Sequence, residues 1–147
     1  GLTLRWDEID EVRSRLIKWT RDEFPDLTFT PVIDIDLDVS PDEITQDNVA
    51  SLDLLEPFGI ENPSPVIMVR DVMVGYDLTT VGEGKHLKFS TENNDSKFEC
   101  IFFNKGELKK TISPGDIVSL AGEPSIHTWR GRSNVQMKLK DIRLEDN

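Results

Sequence analysis

Apolar and polar positions change their spacing near residue 66, and the change divides the chain into two styles. Over 7–23, Ile9, Val12, Leu16 and Trp19 recur every three or four positions, which predicts one amphipathic helix. Asp7, Glu8, Asp10 and Glu11 crowd its first turn, where the helix dipole favours carboxylates. Trp19 is expected to be a packing residue of that stripe. Residues 31–39 alternate instead, with Ile33, Ile35, Leu37 and Val39 on one face and Asp34, Asp36 and Asp38 on the other. That is the pattern of a half-buried strand with a charged side that discourages edge-to-edge pairing. Ser40, Pro41 and Glu43 then supply the cap, the first-position proline and the capping-box acid of a second helix. Its apolar side is expected from Ile44, Leu52 and Leu55.

A proline-rich stretch over 54–69 joins the two styles. Pro57 forces Glu56 out of the helical region and ends the helix. Gly59 permits a sharp turn, and Pro63 and Pro65 keep the chain extended. Beyond this hinge the period becomes two. Strands are predicted over 66–74, 85–91, 97–103, about 116–126 and 134–144, with loops at 75–84 and 127–133 and a short helix at 105–112. In the last strand Val135, Met137 and Leu139 face one way and Gln136, Lys138 and Lys140 the other. The apolar set then resumes at Ile142 and Leu144, so a bulge is expected near Lys140 or Asp141. Three strands, a helix and two strands make the order of a five-stranded OB-fold barrel, here preceded by a helix–strand–helix brace. The pattern alone leaves open a split barrel of another strand order.

Charge sharpens this division. Over 1–83 there are 6 basic and 19 acidic residues, whereas 84–143 holds 11 basic and 7 acidic. The net charge of −11 therefore says little about the second half, and the two parts are suited to different partners. No apolar run approaches the roughly 20 residues that span a bilayer, and no signal-peptide pattern opens the chain. A single cysteine, Cys100, excludes an internal disulfide framework, and the cytoplasm is the expected location.

A catalytic centre is not legible. His86 and His127 lack metal-ligand spacing with each other or with Cys100. The aspartates at 34, 36 and 38 are followed by Val39, where a calcium loop needs glycine. Gly82-Glu83-Gly84-Lys85 fails as a phosphate loop, because Thr79 and His86 stand where glycine and a hydroxyl residue are required. No nucleophile elbow is found. The constellation that remains is basic and aromatic. Trp129, Arg130 and Arg132 surround Gly131, Asn134, Gln136 and Lys138 continue along the last strand, and Lys85, His86 and Lys88 belong to the second. A single nucleic-acid strand needs cations for its backbone and a ring on which bases stack. Trp129 is the first choice for that ring, and an indole folded over the barrel mouth is the competing reading. Phe98, Ile101, Phe102 and Phe103 cannot all enter one core, so one or two should line the open face. Lys109 and Lys110 read as a solvated helix face.

Leu55 to Pro65 (Leu-Glu-Pro-Phe-Gly-Ile-Glu-Asn-Pro-Ser-Pro), Gly84-Lys85-His86-Leu87-Lys88-Phe89, Trp129-Arg130-Gly131 and Val135-Gln136-Met137-Lys138 together resemble the OB domain of the RecJ family. Gly1 to Leu4 and the helix after them resemble the end of that family's DHHA1 subdomain. Ile60 and Glu61 depart from the family hinge, and His127 stands where asparagine is common. The resemblance implies a piece of a 5′→3′ single-strand-specific exonuclease of DNA repair and recombination. The Mn²⁺- or Mg²⁺-dependent catalytic motifs would then lie upstream, so no cofactor and no cleavage are expected of this chain. Residues 1–30 would be a DHHA1-like remnant and 31–147 the OB domain. The implied partners are single-stranded DNA, guided toward the catalytic core, and the upstream DHH and DHHA1 domains. The alternative is a protein-docking module for another repair protein, such as a single-strand-binding protein.

Overall fold

Residues 3–26, 30–93 and 96–145 are described by the computed structural model, with the side chain of Trp129 outside that description. The chain forms two compact units, Gly1–Val32 and Ile33–Asn147. In the first, a 3-10 turn at Trp6–Glu8 leads into α1 (Ile9–Glu23), matching the predicted helix. Ion pairs one turn apart, Asp10–Arg13 at 2.8 Å and Glu11–Arg15 at 2.6 Å, line its polar side. The helix buries none of its residues. The expectation for Trp19 is therefore corrected. Its ring is 56% exposed and meets only the edge of Phe24 among the aromatic contacts described, with centroids 5.8 Å apart.

The second unit starts with less strand than the alternation over 31–39 promises. Only β1 (Leu37–Val39) pairs, in parallel with β2 (Ile67–Met73), and Leu37 is 55% exposed. Two of the aspartates act structurally. The Asp36 carboxylate accepts the Val66 N–H at 2.8 Å, and Asp38 binds Arg70 at 2.8 Å. The single helix expected after Ser40 is instead a 3-10 turn at Pro41–Glu43, then α2 (Gln46–Ser51), then a second 3-10 turn at Leu52–Leu55. A second cap is the reason. The Thr45 hydroxyl accepts the Asn48 N–H at 3.2 Å and restarts the helix, after the Ser40–Glu43 capping box has opened the first turn. Ile44 and Val49 are buried while Leu55 is exposed, so the apolar side differs from the expected set. At the hinge, the Asn62 side chain donates to the carbonyls of Leu55 and Pro57 at 2.8 and 3.1 Å.

The remaining strands are β3 (Thr79–Val81), β4 (His86–Ser90), β5 (Glu99–Phe102), β6 (Ile117–Trp129) and β7 (Arg132–Leu144), in the sheet order β1-β2-β6-β7-β5-β4-β3. The sheet curls without full closure. An isolated bridge between Val74 and Thr91, flanked by Gly75 N–H to Ser90 O at 2.8 Å and Glu92 N–H to Met73 O at 2.9 Å, ties β2 toward β4. This is the partly open barrel of an OB fold, with short strands added at both edges. Leu87, Phe89, Phe98, Leu120 and Met137 fill it, together with Val69, Val72, Val74 and Val118. Cys100 lies among them, and burial pushes its thiol pKa well above the ordinary value, which keeps it unreactive.

Three sequence expectations are revised here. The loop at 75–84 contains β3, which forms a hairpin with β4. The helix at 105–112 is a 3-10 turn, Gly106–Lys110. The loop at 127–133 is strand almost to its tip: β6 and β7 pair out to Trp129↔Arg132 around a two-residue turn, with Arg130 and Gly131 at φ 49° and 77°. Positive φ at both central residues marks the primed turn that suits the twist of a hairpin. The expected bulge is found, since Ala121 pairs with Asp141 and Gly122 with Leu139, leaving Lys140 extra. Among the described residues no helix is long and apolar enough to cross a membrane.

Asp77 pins the loop after β2 to the end of β4 by accepting the Ser90 N–H at 2.8 Å and its hydroxyl at 2.6 Å. Burial raises the Asp77 pKa, but the Ser90 bonds, its own backbone N–H and Lys97 outweigh that and hold it below the usual value. A depressed folded-state pKa stabilises the fold above the unfolded value of about 3.9, and the contribution is lost as pH falls through the folded one. Urea unfolding should therefore show Asp77→Asn less stable than the unaltered chain at neutral pH. The difference between them should shrink as pH falls through the aspartate range.

Candidate nucleic-acid interface

Strand alternation builds this face. Leu87, Phe89, Cys100, Phe102, Val135, Met137 and Leu139 point inward and are buried, so the residues between them point out. Strand pairing sets these in rows. Thr79 lies beside Lys88, then Ile101, Lys138 and Glu123; Glu99 lies beside Gln136 and then Ser125, and its other neighbour, Ser90, is buried beneath Asp77. Phe103 continues the outward series after Glu99 and Ile101, just beyond β5.

Phe103 is the most informative side chain of the face. It is 44% exposed. The imidazole of His86 meets it edge-on, with centroids 5.0 Å apart, and the Lys138 ammonium lies 5.9 Å from its centroid. His86 is held in turn, because its Nδ1 accepts the Asn104 N–H at 3.0 Å. The neutral ring therefore carries its proton on Nε2. Of the four apolar residues that could not share one core, Phe98 and Phe102 are buried, Ile101 is half-buried and Phe103 faces solvent. Period-two counting from Glu99 is the signal that identifies Phe103.

The cations of the face are matched by the domain's own carboxylates. Lys88 lies 3.1 Å from Glu99, whose Oε2 also accepts from the Gln136 amide at 3.2 Å. Lys138 and Lys140 approach Glu123 at 4.0 and 2.7 Å, and Lys85 lies 3.7 Å from Glu83. An exposed pair such as Lys85–Glu83 contributes about 0–1 kcal/mol, whereas the half-buried Glu99 and Glu123 hold their lysines more firmly and a polyanion must compete with them. Sequence reasoning missed Glu99, Glu123 and Lys140 as members of the site, because cross-strand neighbours are invisible without the register.

His86, Lys88, Gln136 and Lys138 thus share one sheet face. Asn134 and Arg132 continue the same alternating line along β7, with Arg132 six residues from Lys138, about 20 Å at the usual strand rise. Among the described residues Arg132 has no ion pair. Arg130 occupies the hairpin turn and is exposed. Trp129 pairs in register with Arg132, but its side chain, the first choice for stacking, lies outside the described residues. Lys85 stands apart from the rows, in the turn between β3 and β4. Among the described residues no group of three or more His, Cys, Asp or Glu could hold a metal ion.

Comparison with known proteins agrees with this architecture. The RecJ OB domain family matches residues 35–141. The chain belongs to that family. Over 147 residues it is 34% identical to the single-stranded-DNA-specific exonuclease RecJ of Bacillus subtilis (strain 168), a match covering 99% of this chain and 19% of that protein. Two crystal structures of RecJ from Thermus thermophilus share its fold. The Mn²⁺ complex has TM-score 0.63 and 23% identity over 100% of this chain and 21% of that one. The Mg²⁺ complex has TM-score 0.64 and 24% identity over 99% and 21%. The chain thus spans about a fifth of the length of the RecJ proteins it matches.

Within this RecJ OB domain, the β3–β4 turn is seated by glycine. Gly82, Glu83 and Gly84 all have positive φ, and the Gly106 N–H donates to Lys85 O at 2.9 Å. A methyl group on Gly106 would overlap the Gly84 carbonyl, whereas one on Gly59 would meet open space. Gly106→Ala should destabilise the domain by about 3 kcal/mol through overpacking. Gly59→Ala should stay within about 0.5 kcal/mol of the unaltered chain in the same urea titration.

Proposed function

We propose that this RecJ OB domain binds single-stranded DNA across the outward face of β4, β5 and β7 and leads it toward a nuclease core elsewhere in a longer protein. The observation that carries this reading is the partly exposed Phe103 ring, with His86 in edge contact and the Lys138 ammonium over it, in the middle of the lysine-bearing face. Phe103 serves as the stacking platform. Lys88 and Lys138 meet phosphates, Gln136 and Asn134 donate hydrogen bonds, and Lys85 and Arg132 extend the cationic track on either side. The hairpin tip with Trp129 and Arg130 forms its far end. The nuclease core, with its Mn²⁺ or Mg²⁺, belongs to the DHH and DHHA1 domains, so the 147-residue chain with Mn²⁺ should leave labelled single strands intact.

The face is built to bind weakly in isolation. Phosphates must replace Glu99 and Glu123 at the lysines rather than enter an empty cationic groove. With four phosphates neutralised, the slope of log K against log salt would be about −2.8 for a single strand.

Fluorescence anisotropy with labelled single- and double-stranded oligonucleotides, at low and moderate salt, tests the proposal. Phe103→Ala should weaken single-strand binding by about tenfold, within the 1–3 kcal/mol of one base–aromatic stack. Glu123→Gln frees Lys138 and Lys140 and should tighten binding several-fold, to a degree that fades as salt rises. Binding that ignores salt, or is unchanged in Phe103→Ala, would reject the residue assignment.

A further inference from the structure

A second surface of the Ile33–Asn147 unit has the opposite character. Between β1, α2 and the start of β2 lies a groove with Ile44, Val49 and Ile67 at its base and Leu37, Val39 and Leu52 along its sides. Glu43 stands at the rim. The groove has a volume of about 190 Å³, below the roughly 300–1,000 Å³ of small-molecule pockets. It has room for one or two aliphatic side chains, not for a cofactor.

Charge narrows the occupant. From Ile33 to Val69 the sequence contains nine carboxylates and no lysine, arginine or histidine. Among the described residues, Asp38 is the one of these nine in an ion pair, with Arg70. Glu43 lines the groove, and Asp42, Asp47 and Asp53 belong to the turns and helix that build it, so the slot repels nucleic acid and acidic peptides and attracts cations.

We infer that this groove docks a short basic, amphipathic peptide segment of a protein partner, its aliphatic anchors seated over Ile44, Val49 and Ile67 and its lysines or arginines facing the surrounding carboxylates. The surface is separate from the lysine-bearing sheet face, and the inference does not depend on DNA binding there.

The test is a methyl-labelled NMR titration of the 147-residue chain with a synthetic peptide carrying leucine and valine anchors between flanking lysines. The methyl signals of Val39, Ile44, Val49, Leu52 and Ile67 should shift together. Leu52→Gln, on the half-exposed wall, should weaken binding about tenfold, equivalent to about 1.4 kcal/mol. Glu43→Gln, which retains a residue type able to complete the Ser40 cap, should weaken it a few-fold, with changes in the spectrum of the free domain confined to residues near the cap. Should Leu52→Gln fail to fold, Glu43→Gln and the pattern of shifts decide. The same peptide with glutamates in place of lysines should not bind. Equal binding of that glutamate peptide would overturn the inference, as would shifts scattered over acidic surface away from the groove.

Discussion

The period-two alternation of the barrel strands is the constraint from which the rest follows. Burial of Leu87, Phe89, Cys100, Met137 and Leu139 accounts for the cohesion of the Ile33–Asn147 unit, each large side chain contributing on the order of 1.5–3 kcal/mol. The same alternation leaves Lys88, Ile101, Gln136 and Lys138 no direction but outward. The candidate interface is thus the reverse side of the core. A shift of register by one residue would bury its charges and expose the core together.

The outward face also shows how an acidic chain can carry a basic function. Its lysines are spaced by strand geometry, and Glu99 and Glu123 sit within the same rows. Such internal pairing keeps the face soluble and limits its attraction to any passing polyanion. The acidic segment before β2 carries the separation of charge further, since residues 33–69 hold no cation at all.

Much of this architecture is legible in the sequence, and the failures have physical causes. The extent of α1, the inward set of β7 and the extra residue at Lys140 are matters of local period and read correctly, whereas the apolar stripe of α1 is not buried. The helix after Ser40 is misread because Thr45 offers a second cap within a stretch whose composition suits a continuous helix. The loop between β6 and β7 is misread because Thr128, Arg130, Arg132 and Ser133 are polar on both sides, so no alternation marks the paired backbone there. Within the candidate site, His86, Lys88, Gln136 and Lys138 can be chosen by face. Phe103 emerges only as one of four candidates, and its relation to His86 depends on the Asn104 contact, which no spacing rule contains.

The extra residue in β7 lets one strand change sides midway. Before it, Asn134, Gln136 and Lys138 face solvent; after it, Ile142 turns toward the core while Asp141 and Arg143 point away. There Arg143 lies beside Glu145, which also accepts the Ser119 hydroxyl. Lys140 is therefore the residue at which β7 kinks, and its ammonium is also the nearer of two cations to Glu123. Many side chains could stand at that exposed position, and losing the residue altogether would leave Leu139 and Asp141 as successive partners of Gly122 and Ala121, with Ile142 still inward and the kink gone. What that position holds is the bend of β7, and with it the curl that carries the strand around the barrel.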